Sequence, residues 1–213
     1  VDEADVGQVK EGQSFRVHAA TGRAEPMASE TRDKLFDSFA TIAAIGRPLA
    51  QAVSTRASFD QARVGAVVEH EGDLYYGKVD GTGGKRLTST PSREELPEFS
   101  PDGKFVAFIR DHDLYVVDVN TGQERALTTG GNDRQRHGQA DWVYFEEIFN
   151  RRWKAYWWSP DSQHIAFLDI DDRQVPMHHV LIDTGEKRIV EQTAYPRSGD
   201  PNPIVKFAIV DVA

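Results

Sequence analysis

A repeat of about forty residues, assembled from short strands, limits what this chain can fold into more than any other feature. Asp73-Leu74-Tyr75 returns forty positions on as Asp113-Leu114-Tyr115. The leucine and threonine of Lys85-Arg86-Leu87-Thr88 return at the same offset in Glu124-Arg125-Ala126-Leu127-Thr128. Between these marks, Val116 to Gly122 is matched more loosely by Gly77 to Gly83. A period near 40 built of short strands is the signature of a propeller blade, four strands to the repeat. A second echo extends the pattern: Phe99-Ser100-Pro101-Asp102-Gly103 returns as Trp158-Ser159-Pro160-Asp161-Ser162, 59 positions on and roughly 19 more than one repeat. The odd segment between Gly130 and Ala155 is the candidate insertion.

Local chemistry agrees with blades. Ser-Pro-Asp-Gly is a tight turn, because Pro presets φ at its first central position and Asp and Gly tolerate the remaining turn dihedrals. Phe105–Phe108 and Ile165–Leu168 are short and mostly apolar, as suits strands covered on both faces. Leu114–Val119 is a further strand ended by Asn-Thr-Gly, and Phe15–His18 reads as a strand before the similar turn at Thr21-Gly22. Asp183-Thr184-Gly185 looks like the same turn again. One stretch differs. Leu35, Phe36, Phe39, Ile42 and Ala43 fall on one face of a helix, which Gly46 and Pro48 should end. A second short helix is expected from Pro48 to about Ser54. Residues 29–63 therefore read as a helical excursion resting on the propeller. Pro203–Val210 reads as the beginning of a strand pair. The fold expected is mainly β, about four blades of a propeller that does not close within residues 1–213.

Composition removes several functions. With 25 basic against 34 acidic residues, the net charge of −9 disfavours nucleic acid as a partner. The absence of cysteine excludes disulfides, a thiol nucleophile and Cys-based zinc sites. The longest largely apolar stretch, Phe39–Ile45, is far short of the ~20 residues of a membrane span. No signal-peptide pattern opens the chain, and a start at Val1 is expected of a processed or trimmed N-terminus. No cofactor or metal motif is present: His178 and His179 would point to opposite faces of a strand. Arg134, Arg136 and His137 form a small basic patch, Asp111-His112-Asp113 reads as a solvated connection, and Phe36, Phe39 and Ile42 read as core.

The chemistry-bearing segment runs from Asp141 to Pro160. It holds all four tryptophans and places Glu146 and Glu147 among aromatics. Adjacent glutamates on a helix diverge by about 100°, yet both can reach one small cation lying off the helix end. An ammonium has three donors and no acceptor, so two carboxylates and one further oxygen saturate it. An acidic pair is usually a solvated face, and on that reading Glu146–Glu147 pair with Arg151, one helical turn on, or Arg152.

Asp-Trp-Val-Tyr-x-Glu-Glu-x-Phe (Asp141–Phe149) followed by Trp157-Trp158-Ser159-Pro160 resembles the double-glutamate segment of the dipeptidyl peptidase IV family of serine peptidases, of the prolyl oligopeptidase type. Asp171–Pro176 and Tyr195–Lys206 resemble that family's next stretch, and the similarity runs from about Asp73 to Phe207. The resemblance implies an eight-bladed propeller joined to a C-terminal α/β-hydrolase domain, and removal of Xaa-Pro or Xaa-Ala dipeptides from peptide N-termini. It implies that Glu146 and Glu147 bind the substrate α-amino group, and that a propeller arginine, for which Arg63 is the candidate, holds a substrate carbonyl. No Gly-x-Ser-x-Gly nucleophile elbow occurs in the 213 residues. The chain is thus expected to be an incomplete N-terminal propeller domain, with no catalytic residue of its own and the hydrolase domain absent. Implied partners are peptide N-termini, the hydrolase domain of the same protein and a second copy in a homodimer; the implied location is periplasmic or secreted. Two other readings stand beside it: a stand-alone propeller serving as a protein-binding scaffold, and a related oligopeptidase or acylaminoacyl peptidase.

Overall fold

The computed structural model describes residues 6–10, 13–17, 21–22, 24–26, 30–183, 185 and 188–212. Strands β1 (Val6–Lys10), β2 (Gln13–Val17) and β3 (Ala24–Pro26) form a three-stranded antiparallel sheet. Helices α1 (Glu30–Ala40) and α2 (Gly46–Arg56) follow. A four-stranded sheet comes next, in the order β4 (Ser58–Phe59), β5 (Gly65–His70), β6 (Asp73–Lys78), β7 (Gly84–Arg86). The second repeats it with β8 (Glu94–Phe99), β9 (Phe105–Arg110), β10 (Asp113–Asp118) and β11 (Glu124–Ala126). In the third, β12 (Gln135–His137) and β13 (Tyr156–Trp158) pair with successive halves of one edge of β14 (His164–Asp171). A separate hairpin, β15 (Met177–Asp183) and β16 (Arg188–Ala194), precedes β17 (Ile204–Asp211), which pairs along the other edge of β14. These are the blade-like sheets the forty-residue period predicts. His18, Ser29 and Thr184, each part of an expected feature, lie outside the described residues.

Packing follows from alternation along each strand. In β5, Ala66 and Val68 turn toward Leu35, Phe39, Ile42 and Val53 of the helical excursion, while Val67 turns toward Phe99, Val106 and Phe108 of the second sheet. In β9, Val106 and Phe108 face the first sheet, and Ala107 and Ile109 join Tyr156, Ile165 and Phe167 of the third. Continuous apolar runs such as Phe105–Ile109 result because both faces are covered. The excursion differs from expectation at its centre. Helix α1 stops at Ala40, and Gly46, at φ +60°, opens α2 instead of ending α1. Pro48 is tolerated there, in a first turn whose N–H groups need no helical partner. Ile42 still reaches the core from the connecting turn, whereas Ala43 is exposed.

The sequence echoes correspond to shared hydrogen bonds. Leu74 N–H donates to the Thr88 hydroxyl at 2.8 Å, and Leu114 N–H donates to that of Thr128 at 2.8 Å. Each threonine thereby ties the chain just past the fourth strand to the third. In the Ser-Pro-Asp turns, Phe105 N–H donates to Ser100 Oγ and His164 N–H to Ser159 Oγ, both at 3.0 Å. Gly103 and Ser162 take the left-handed position of these turns, at φ +72° and +62°. The β4–β5 turn is built likewise, with Arg63 at φ +56° in the matching place.

The first four-stranded sheet and the excursion meet at a glycine that admits no side chain. A Cβ on Gly84 would lie 2.5 Å from the Ser38 carbonyl oxygen and 2.8 Å from Ile42 Cδ1, so this residue lets the excursion settle on β7. Gly84→Ala should cost about 1–3 kcal/mol through overpacking against backbone, read as a lower denaturation midpoint at unchanged slope; an unmoved midpoint would contradict that packing.

Candidate functional site

The insertion leaves the third sheet between β12 and β13 through a closed neck. Ala140 N–H donates to the Trp153 carbonyl at 2.7 Å, and Ala155 N–H to that of Gly138 at 2.9 Å. Gln139 and Lys154 pair as an isolated bridge. Within the neck, Asp141 caps a short helical segment: its Oδ1 accepts from Tyr144 N–H at 2.9 Å. The segment widens into a π-helix over Tyr144–Ile148, where Phe149 N–H reaches back to the Tyr144 carbonyl at 2.8 Å. Such single-turn π segments are rare and occur often at functional sites. Asn150 and Arg151 are both left-handed, at φ +49° and +62°, and reverse the chain.

Aromatic rings hold the segment in place. Phe145 stacks on Trp153 with centroids 3.9 Å apart, and Phe149 meets Tyr144 and Trp157 edge-on. Trp142 packs edge-on against Tyr195 at 4.8 Å, tying the insertion to the chain after the β15–β16 hairpin. Aromatic pairs of this kind add ~0.5–1.5 kcal/mol each beyond area burial.

On this frame Glu146 is half-buried and Glu147 exposed. Glu146 Oε1 accepts from the Arg151 guanidinium at 2.6 Å, the ion pair expected on the alternative reading of these residues. Glu147 has no ion pair or side-chain hydrogen bond among the described residues. Two cavities flank the insertion. One of about 730 Å³ is lined by the first strands of all three four-stranded sheets, including Phe59, Pro97, Trp157 and Trp158. The other, of about 310 Å³, lies between Glu95, His112, Arg136, Gln139 and Trp153. Neither glutamate lines them, although their aromatic neighbours Trp157 and Trp153 do. Arg63 lies in the β4–β5 turn with its guanidinium 5.6 Å over Phe59, and no hydrogen bond or ion pair of the described residues joins it to residues 141–158.

Buried polar groups beneath the insertion carry weight that local sequence does not disclose. The Asp111-His112-Asp113 turn is not solvated throughout: Asp113 is buried, accepting from Thr128 Oγ1 and Gly131 N–H and meeting His137 Nδ1 at 2.7 Å. The supposed basic patch is an ion-paired cluster, with Arg134 and Arg136 both on the buried Asp172. Their partners lie 15 to 38 residues away, so no short-range pattern reveals them. Asp141 is buried, and only one of its carboxylate oxygens finds a hydrogen bond. Burial raises its pKa above the ordinary 3.8, although Tyr144 N–H and Arg136 oppose the rise.

A stack of four-stranded antiparallel sheets, one of them carrying an acidic helical insert in its first strand, defines a segment of a β-propeller. Residues 68–213 match the family described as the dipeptidyl peptidase IV (DPP IV) N-terminal region. The chain belongs to that family. It is 33% identical over 125 residues to the protein named dipeptidyl peptidase 4 of Sus scrofa, covering 57% of this chain and 16% of that one. It is 36% identical over 132 residues to "Probable dipeptidyl-aminopeptidase B" of Arthroderma gypseum, covering 56% and 14%. In fold, it resembles the crystal structure of Porphyromonas gingivalis dipeptidyl peptidase 4, with a TM-score of 0.71 and 20% identity over 99% of this chain and 30% of that one. The chain thus spans about a sixth or less of the length of these curated relatives.

The raised pKa of Asp141 sets a sign for pH dependence. Its contribution to stability is fully present below its unfolded value and is lost as pH rises through the folded one. Asp141→Asn retains the Oδ1 acceptor without the charge. Its melting temperature relative to wild type should therefore climb as pH rises above about 3.8. A difference that stays flat or falls as pH rises would show the carboxylate to be well compensated.

Proposed function

We propose that this chain is the N-terminal propeller portion of a serine exopeptidase that releases Xaa-Pro or Xaa-Ala dipeptides, with Glu146 and Glu147 receiving the substrate's α-amino group. In this proposal the catalytic serine, aspartate and histidine belong to an α/β-hydrolase domain of the same polypeptide. The observation that carries the reading is the family match, which spans the double glutamate. The names of the relatives, dipeptidyl peptidase and dipeptidyl-aminopeptidase, support the same direction.

The physical sense of the arrangement is a ruler. A carboxylate pair on a short helix, held by a closed neck and an aromatic stack, is a fixed point from which chain length can be measured. An α-ammonium bound there stops the peptide at a set depth, so the bond presented to the nucleophile is always the second. Charged hydrogen bonds contribute ~1.5–3 kcal/mol each where water is largely excluded. A blocked N-terminus forfeits them and leaves carboxylates unpaired, so a polar site of this kind rejects the analogue strongly.

The test uses the full-length gene product that carries this chain. A free-amine Xaa-Pro chromogenic substrate and its N-acetylated twin are compared in wild type and in Glu146→Ala/Glu147→Ala. The free amine alone should be cleaved, and the double variant should lose about 10²-fold or more in kcat/KM, as expected for two charged hydrogen bonds of ~1.5–3 kcal/mol each. Equal cleavage of both substrates would assign the protein to the oligopeptidase or acylaminoacyl peptidase group. Cleavage of neither would favour a binding scaffold.

A further inference from the structure

Resting on that reading of Glu146, we infer that Arg151 is an internal occupant of the amine anchor, a guanidinium that an incoming peptide N-terminus must displace. Four observations meet on this residue. The guanidinium is already bound to Glu146 at 2.6 Å, so a nitrogen cation stands where the proposed ligand's would. The geometry that returns it there is specific. Arg151 lies five positions after Glu146, Arg151 N–H donates to the Phe145 carbonyl at 2.7 Å, and the left-handed pair Asn150–Arg151 folds the chain back. The exposures of the two partners differ: the Glu146 side chain is 26% accessible and that of Arg151 72%. The arginine therefore covers the carboxylate from the solvent side and can swing away without opening the core. Glu147, finally, is exposed and carries no competing cation among the described residues.

Together these make a half-occupied anchor. An arriving ammonium meets the open Glu147 first and completes its bonds by exchanging with the guanidinium on Glu146. The exchange conserves charge at the pair, because one cation leaves as another enters. It also keeps a half-buried carboxylate from standing unpaired between turnovers. The consequence is a tax on every amine ligand equal to the strength of an exposed ion pair. Exposed pairs are weak, so the effect is about 1.5- to 5-fold on affinity.

The experiment measures KM and kcat for the free-amine Xaa-Pro substrate with the full-length protein. The proteins are wild type, Arg151→Ala, Arg151→Gln, Glu146→Gln and the Glu146→Gln/Arg151→Ala combination. Both arginine variants should lower KM by about 1.5- to 5-fold, with the change in KM and not in kcat. In the Glu146→Gln background, Arg151→Ala should no longer move KM, because the carboxylate it screens is gone. A higher KM in either arginine variant would make Arg151 a contributor to substrate binding and overturn the inference. An unchanged KM would make the pair inert and overturn it equally. Failure of the underlying reading shows separately: wild type would cleave the acetylated twin as readily, or Glu146→Gln would keep the wild-type KM, whatever Arg151 does.

Discussion

Burial of both faces of the middle strands is the constraint on which the rest of the structure depends. In β9 successive residues belong to different interfaces, Val106 and Phe108 to one neighbour and Ala107 and Ile109 to the other. A one-residue slip would exchange the two sets, placing alanine where phenylalanine fills space. Register is therefore fixed from both sides, and the fourth strands, short and without a fully buried residue, follow the third through the Thr88 and Thr128 hydroxyls. Because the first sheet needs cover on its outer face as well, the amphipathic α1–α2 excursion supplies it, with Leu35 and Phe39 wholly buried there.

The polar interior obeys the same layering. Glu94 is fully buried, yet it is satisfied by Arg110 and by the hydroxyls of Thr88 and Thr90, so one carboxylate draws on both the first and second sheets. Asp113 and His137 make the corresponding connection between the second and third. A charge in such a place is tolerated because its partners are complete. Removing one partner would leave the other stranded, which makes these links directional supports and not interchangeable surface pairs. The insertion sits over the second of these links, close to His112, Gln139 and Arg136.

Much of this was legible because repetition is a property of sequence. The forty-residue period, the Ser-Pro-Asp turns and the apolar runs each record a local rule applied more than once, and the strands lie where those rules place them. What stayed hidden depends on contact between distant residues. Arg134 and Arg136 look like a solvated basic patch until Asp172, 36 or more positions away, is seen to accept both. Asp113 looks like a turn residue until His137 covers it. The π-helix was also beyond reach, since local sequence specifies a helical turn at Glu146 but not the extra residue that widens it. The candidate glutamates were found by their pattern, whereas their pairing with Arg151 in preference to Arg152 is a matter of backbone curvature at Asn150.

The division of the third sheet's first strand into β12 and β13 has a consequence for how such a segment can change over time. Both pieces align on β14, and the chain between them leaves and returns through one narrow ladder at Gly138–Ala140 and Trp153–Ala155. In its backbone hydrogen bonding the sheet thus sees only the two ends of the intervening residues, with Phe149 on Trp157 as a side-chain contact beyond them. Their number and character can drift without disturbing strand alignment, provided the ladder closes. An ordinary structural repeat becomes, at that single gap, a socket into which different recognition chemistries can be fitted while the surrounding architecture stays the same.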